Sequence, residues 1–290
     1  MNKPTIIILV FNSLKFIKPC LDSVYAQDCK DCEVIVIDNG SSDGTVGFIK
    51  KNYPAVKLIE NKDNLGACKA RNQGIKIAQG DWILSLDCDV ILEKYFLTKM
   101  LSFTEKSEES IGMIQPKILN NDKKTIYSCG IHLSWLKRFH DLGKGRFDNG
   151  QFNVALDIFG ACSAAAVYRR KMLEDIKENT GYFDESFFFL AEDVDLSWRA
   201  QIKGWKAKFL PEAICYHSGN SAHFANEFRQ YLCWRNRRFL LEKMQLGMPS
   251  LIVLRICYEL PRFIFLFLTN PYVRSAVVDK KFRNGYSDLQ

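Results

Sequence analysis

Between residues 5 and 90 short apolar runs alternate with stretches long enough for helices, and this alternation limits the fold more than any other feature of the chain. Thr5 to Val10 reads as a strand, Leu14 to Ala26 as a helix, and Glu33 to Ile37 as a second strand. Thr45 to Asn52 reads as a helix, Val56 to Glu60 as a third strand, Gly66 to Ala78 as a helix and Trp82 to Leu86 as a fourth strand. Strand and helix alternating at this spacing require parallel strands joined by right-handed crossovers. In an open α/β sheet of that kind ligands bind beyond the carboxyl ends of the strands. Those ends are polar here. Phe11-Asn12-Ser13 follows the first strand, and Asp38-Asn39-Gly40-Ser41-Ser42-Asp43-Gly44-Thr45 the second, with Asp43 placed to cap the next helix. Asn61-Lys62-Asp63-Asn64-Leu65-Gly66 follows the third. In the helix after it, Ala67, Ala70, Gly74 and Ile77 share a narrow face suited to close packing on the sheet. Lys69, Asn72 and Lys76 lie elsewhere, and Arg71 looks toward the strand ends.

The fourth strand runs into Leu86-Asp87-Cys88-Asp89. Side chains alternate on an extended chain, so Asp87 and Asp89 point to one side and Cys88 to the other. Two hard oxygen groups in one small volume suit magnesium or manganese, which needs only one or two protein carboxylates when diphosphate oxygens and water complete the shell. Alone, an Asp-x-Asp also reads as a solvated strand-end turn. Two familiar nucleotide signatures are missing, Gly-x-Gly-x-x-Gly after the first strand and Gly-x4-Gly-Lys-Ser/Thr anywhere.

From Ile111 to Val167 the pattern is mixed, with strands expected at Ile111 to Gln115, Thr125 to Leu133 and Ser163 to Tyr168, and a mobile glycine-rich loop at Asp141 to Gln151. Val194, Trp198, Ile202 and Trp205 recur at helical spacing, which puts Glu192 and Asp193 near a helix N-terminus. Both acids then either serve the helix dipole or belong to a site. Strands at Ala207 to Leu210 and Ala213 to Tyr216 lead to His217-Ser218-Gly219-Asn220-Ser221.

The net charge of +7 is modest, and its cations gather late in the chain at Arg229, Arg235, Arg237, Arg238, Lys243, Arg255, Arg262 and Arg274. That distribution favours an anionic surface over nucleic acid as a partner. Residues 223 to 246 read as an amphipathic, cationic helix. Leu251 to Leu268 is strongly apolar but interrupted by Arg255, Glu259, Pro261 and Arg262, so it reads as lying in the headgroup region rather than spanning a bilayer. A buried helix pair or a homodimer contact is the competing reading. The start of the chain lacks a secretory pattern, which gives a cytoplasmic expectation. Among ten cysteines, Cys20, Cys68, Cys88, Cys162, Cys215, Cys233 and Cys257 sit in apolar or helical runs and read as reduced core residues. Cys29-Lys30-Asp31-Cys32 has metal spacing, but no second pair or nearby histidine completes a site.

Several separated motifs resemble, in order, those of the inverting glycosyltransferases of family 2: Asp38 to Thr45, Asn64-Leu65-Gly66 with Ala70-Arg71-Asn72-Gln73-Gly74, and Leu86-Asp87-Cys88-Asp89. Phe183-Asp184-Glu185 with Glu192-Asp193-Val194-Asp195-Leu196, and His217 with Gly219 and Ser221, continue the series. Gly160 to Ser221, followed by Trp234-Arg235-Asn236-Arg237-Arg238, most resembles a bacterial rhamnosyltransferase-like branch that builds surface polysaccharides. The resemblance implies a GT-A fold, an α/β Rossmann-like mixed sheet, mostly parallel, flanked by helices and followed by a C-terminal helical extension. It implies a glycosyltransferase domain over residues 1–222, with a nucleotide-sugar half (1–110) and an acceptor half (111–222), which leaves 223–290 as the helical segment that its charge and hydropathy place on a membrane or in an interface. Phe11 and Asn12 would border the nucleotide, Asp38 would bond the base, and Asn64 and Arg71 would lie near the nucleotide or the sugar. Asp87 would face the ribose or the metal, Asp89 would ligate Mn2+ or Mg2+, and His217 would be a further ligand or a phosphate contact. Asp193 would be the general base, with Glu192 beside it.

The implied reaction moves a sugar from a nucleoside diphosphate donor, dTDP-rhamnose or a UDP-sugar, to a hydroxyl of a glycan or lipid-linked saccharide at the cytoplasmic face of the membrane. Two other readings compete. A nucleotidyltransferase should show a glycine-rich, lysine-bearing loop after the first strand, where Phe11-Asn12-Ser13-Leu14 stands instead. A membrane-peripheral binding protein of the same fold would not need Asp87, Asp89, Asp193 and His217 together.

Overall fold

The computed structural model describes residues 3–29, 31–135, 137–219, 224–244 and 252–278. Strands β1 (Thr5–Val10), β2 (Glu33–Asp38), β3 (Lys57–Glu60) and β4 (Trp82–Asp87) lie in parallel in the order β3-β2-β1-β4. Helices α1 (Leu14–Tyr25), α2 (Thr45–Asn52) and α3 (Ala67–Ile77) connect them. β2 is buried along its whole length, which is why it reads as an unbroken apolar run rather than an alternating one. α3 rides unusually close to this sheet. A Cβ on Gly74 would stand 2.7 Å from Ile7 Cγ2 and 2.8 Å from Ile37 Cδ1. Ala67, Ala70 and Gly74 are buried as expected, but Ile77 is exposed and Asn72 takes a buried place. The polar residue tolerates burial because its amide bonds the N–H and the carbonyl of Phe183.

The second half adds β5 (Val90–Leu92), α4 (Phe96–Lys106), β6 (Ile111–Asn120), β7 (Ile126–Ser128), β8 (Ile131–Leu133), β9 (Phe139–Asp141), β10 (Leu156–Ile158) and β11 (Ala165–Arg169). It continues with α5 (Arg170–Ile176), α6 (Glu192–Ile202) and β12 (Lys206–His217). β11 runs antiparallel between β4 and β6, and β12 lies parallel to β6, so the sheet order is β10-β12-β6-β11-β4-β1-β2-β3.

Several expected boundaries shift for identifiable reasons. β6 passes through Pro116 instead of stopping at Gln115. The ladder slips opposite that proline, between Leu210 and Ile214 of β12, which makes the two expected strands 207–210 and 213–216 one irregular strand. The single strand expected over Thr125 to Leu133 breaks into β7 and β8 around Gly130, whose φ is +111°. Ile202, expected on the buried face of α6, is exposed. The glycine-rich stretch 141–151 is anchored by Lys117, whose buried ammonium bonds Asp148 at 2.9 Å and Asn153 at 2.7 Å.

The C-terminal part consists of α7 (Asn226–Lys243), a π-helical turn (Arg255–Glu259), α8 (Leu260–Thr269) and α9 (Pro271–Val278). The expected cationic surface is only partly there. Arg235 and Arg237 are buried, the first against the carbonyls of Ser186 and Phe187 and the second against Glu259, while Lys243 pairs with Glu178, Asp184 and Asp195. Cys257, expected in the core, is exposed. Among the described residues no helix is long and apolar enough to cross a membrane. Asn220, Ser221, the expected 222/223 boundary, residues 245–251 and residues 279–290 lie outside the described residues.

Candidate active site

At the carboxyl end of β4 the chain leaves the strand at Asp87, turns through Cys88 and Asp89, and returns as β5, which pairs antiparallel with the end of β12. This turn, rather than continued alternation, is what gathers the acids, because Val90 falls opposite His217 in the ladder. The Cys88 thiol lies 3.0 Å from Ser13 Oγ, and both residues line the same cavity as Asp87. Ligand atoms of Asp87, Asp89 and His217 all lie within 4.8 Å of one another. His217 Nε2 stands 3.1 Å from Asp89 Oδ1, and its buried Nδ1 has no hydrogen-bond partner. The Tyr127 ring packs edge-on against the imidazole with centroids 4.2 Å apart, which fixes its plane. Two carboxylates and an imidazole, one acid lining the cavity and one buried beneath, fit a divalent cation that keeps open positions for phosphate or water.

Across the same cavity the acids at the start of α6 have separate duties. Glu192 is buried and takes Arg71 Nη1 at 2.8 Å and Ser163 Oγ at 3.2 Å. Arg71 in turn gives Nη2 to Asp87 Oδ1 at 2.9 Å and Nε to Ser85 at 3.1 Å. The expectation that Arg71 lies near a nucleotide therefore changes in kind. It lines the cavity, but its donors are committed to the protein, and it ties the metal-side acid to the α6 acids. Asp193 accepts from the Ser163 N–H at 3.2 Å and faces the cavity. Burial first, and then the neighbouring Glu192 carboxylate, push its pKa up to about 7. Asp87 is pushed up to about 6 by burial, against the pull of Arg71 and His217.

The cavity has a volume of about 470 Å³, within the range of small-ligand sites. Phe11, Asn64, Arg71, Asp87, Glu192, Asp193 and His217 all line it. Three expected residues do not. Asn12 has a left-handed backbone (φ +48°) and accepts the Ser42 N–H, so it shapes the loop. Asp38 is buried, its Oδ2 taking the N–H groups of Gly40 and Ser41 while Oδ1 has no partner. Asp89 sits beneath the cavity with His217. Sequence reasoning missed Ser163, Lys144 and Arg229 on the walls. Ser163 opens an expected strand, which was its only signal. Asp87, Asp141, Glu192 and Asp193 outnumber Arg71, Lys144 and Arg229 on the lining, with Asp89 just below, so an anionic ligand meets a negative cavity unless a cation enters with it.

The sequence profile described as glycosyl transferase family 2 matches residues 5–177. The poly-beta-1,6-N-acetyl-D-glucosamine synthase of Staphylococcus aureus is 26% identical over 223 residues, covering 73% of this chain and 49% of that protein. The Staphylococcus epidermidis enzyme of the same name is also 26% identical, over 216 residues. The chain thus spans about half the length of the curated relatives it matches. Among solved structures, the mannosyltransferase PcManGT from Pyrobaculum calidifontis, in complex with GDP-Man and Mn2+, superposes with a TM-score of 0.60 at 17% identity, covering 95% of this chain and 75% of that one. S. aureus TarS with UDP-GlcNAc gives 0.58 at 20% identity, covering 95% and 76%. Likeness at that level shows a shared fold.

Proposed function

The chain belongs to glycosyl transferase family 2, and from that premise we propose that it is an inverting, metal-dependent glycosyltransferase of cell-surface polysaccharide synthesis. It moves a sugar from a pyrimidine nucleoside diphosphate to a hydroxyl of a glycan or lipid-linked saccharide. The observation that carries this reading is the pairing, across one cavity, of a metal-ligating triad (Asp87, Asp89, His217) with a carboxylate of raised pKa, Asp193.

In this reading a bound Mn2+ or Mg2+ would be held by Asp87, Asp89 and His217 and would supply charge stabilisation to the diphosphate. The chain's own residues do the rest. Asp193 takes the proton of the acceptor hydroxyl as its oxygen attacks the anomeric carbon, the bond from that carbon to the phosphate oxygen breaks, and the nucleoside diphosphate leaves on the opposite face. A free aspartate, with a pKa of about 3.9, is a poor base for an alcohol, and a carboxylate poised near 7 is a better one. Arg71 and Ser163 hold Glu192 Oε1, whereas Asp193 accepts from backbone N–H groups, so Asp193 is the carboxylate left for proton transfer. Asp38, buried at the end of β2 behind the cavity lining, keeps one carboxylate oxygen without a protein partner. An acceptor-only oxygen suits the imide N–H of uracil or thymine, which covers a UDP-sugar and dTDP-rhamnose alike. The names of the curated relatives favour N-acetylglucosamine, whereas only the resemblance of Gly160 to Ser221 followed by Trp234-Arg235-Asn236-Arg237-Arg238 favours rhamnose. Residues 1–110 would form the donor half, 111–222 the acceptor half, and 223–290 a segment lying on the cytoplasmic face of a membrane. Support for that last role is the exposed row Ile252, Ile256, Leu260, Ile264 and Leu268 with Phe265, although the same row would serve a homodimer.

The test is a thermal-shift screen of UDP-, dTDP- and GDP-sugars with manganese or EDTA, followed by release of nucleoside diphosphate in the presence of saccharide acceptors. A ligand at 100 times its Kd stabilises by about 2.7 kcal/mol, so a shift confined to manganese supports the reading. No shift with any donor refutes it.

A further inference from the structure

The turn that delivers Glu192 and Asp193 is built against backbone preference. Phe188 (φ +63°), Leu190 (φ +70°) and Ala191 (φ +65°) are all left-handed and none is glycine. At Phe188, with ψ −60°, the N–H of Phe189 bonds the carbonyl of Phe187 at 2.7 Å, a γ-turn of the rarer, strained hand. Such a backbone persists only where its surroundings over-determine it.

Two elements hold it. From one side the first N–H groups of α3, at Ala67 and Cys68, bond the carbonyl of Phe188. From the other, α7 presents Asn236, wholly buried, whose amide nitrogen lies 3.0, 2.8 and 2.6 Å from the carbonyl oxygens of Phe187, Phe189 and Leu190. Arg235 orients that amide, giving Nε to Asn236 Oδ1 at 2.9 Å and Nη2 to Phe187 O at 2.8 Å. Further along α7, Lys243 reaches Asp184 before the turn and Asp195 after it, each at 2.8 Å.

We propose that Asn236, aimed by Arg235, is a positioning residue: it locks the left-handed turn Phe188–Ala191 and so sets Asp193 against the acceptor hydroxyl, which makes α7 part of the catalytic unit rather than an appendage. The inference rests on the proposed role of Asp193 as base. The two protons of an amide nitrogen can serve these convergent carbonyls with one contact shared, and Arg235 also bonds that of Phe187.

The experiment compares Asn236→Ala and Asn236→Ser with Leu240→Ala in the full chain. Leu240 is a buried α7 residue whose apolar side chain cannot hydrogen-bond the turn's carbonyls, so its truncation reports general destabilisation. Asn236→Ala is expected to lower kcat at least 10-fold while donor KM and manganese-dependent nucleoside diphosphate affinity stay within twofold. Asn236→Ser, which keeps one donor, should fall between, and Leu240→Ala should keep kcat at a similar loss of Tm. A folded Asn236→Ala with kcat within twofold of wild type overturns the proposal, as does an equal kcat loss in Leu240→Ala. If both Asn236 variants fail to fold while Leu240→Ala folds, the contact is a folding requirement and the positioning role falls. Normal turnover in Asp193→Asn would instead overturn the base assignment, and a kcat loss in Asn236→Ala would then mean that the turn positions a different group.

Discussion

Replacing Asp193 by asparagine should make the protein more stable and less active at the same time. The raised pKa of about 7 means that the folded protein holds the Asp193 proton over a window in which the unfolded chain, near 3.9, has released it. Between those values the native state binds more protons, so Asp193 subtracts stability as pH rises from about 4, and the whole cost is present above about 7. Three pK units correspond to about 4 kcal/mol. Part of that is screened, because the side chain reaches the cavity. Asparagine cannot ionise, but it has one acceptor oxygen where the carboxylate uses two, on the N–H groups of Ser163 and Val194, which costs about 1 kcal/mol. A net gain of about 1–3 kcal/mol at pH 8 remains. At about 2–4 °C per kcal/mol for a chain of this size, Tm should rise by about 2–12 °C at pH 8 and show no gain at pH 5. Thermal unfolding in EDTA across that pH range measures it. In parallel, sugar transfer should fall by about 10²- to 10⁴-fold, the contribution of a general base, with donor affinity little changed. A Tm at or below wild type at every pH would refute the buried, raised carboxylate. Near-normal transfer would refute its role, leaving Glu192 as the carboxylate to examine, since it lines the cavity with one oxygen unpartnered while Asp195 does not line it.

Three further outcomes are expected. Asp89→Ala should weaken nucleoside diphosphate binding in manganese far more than in EDTA, measured by calorimetry, and an equal loss in both would remove the metal assignment. Gly74→Ala should lower the urea midpoint by the equivalent of about 1 kcal/mol, since overpacking against Ile7 and Ile37 outweighs the gain in helix propensity, and an unchanged midpoint would mean α3 can lift from the sheet. Ile264→Glu with Phe265→Glu should abolish sedimentation with anionic vesicles while leaving Tm and donor binding intact; if the intact protein never sediments but elutes as a dimer that these changes split, the row is a subunit contact.

The first half of the fold was legible because its signals are local. The runs Thr5–Val10 and Glu33–Asp38 are apolar over a strand's length, and the stretches between them have helical length and polar ends. Asp87 and Asp89 were legible for the same reason, being two residues apart on one strand end. His217 arrives 128 residues after Asp89, so its place in the triad came only through resemblance and is explained by the β5–β12 pairing. Pro116 hid the second half of β6, because a proline on paper ends a strand and only the matching slip in β12 lets this one continue.

What stayed hidden has a common physical cause: charge and conformation were read as local when their partners are distant. Arg235, Arg237 and Lys243 look like a solvated cationic face when counted along α7, yet each is matched to a carbonyl or carboxylate from a distant segment, and the nearest of these matches, Arg237 with Glu259, spans 22 residues. A helix so committed cannot be deleted to ask whether it binds a membrane, because removing it would also release the turn before Glu192 and Asp193. Nor does that turn announce itself, since left-handed residues are sought at glycine or asparagine and here they are Phe188, Leu190 and Ala191. The strain persists only with Asn236 and the α3 N-terminus in place, so the acids of α6, the start of α3 and the C-terminal extension should lose their geometry together. If the exposed face of α8 takes the membrane or a second copy as proposed, that contact and turnover would be coupled through α7, because α8 is joined to it by the Arg237–Glu259 pair and by the packing of Trp234 on Phe263.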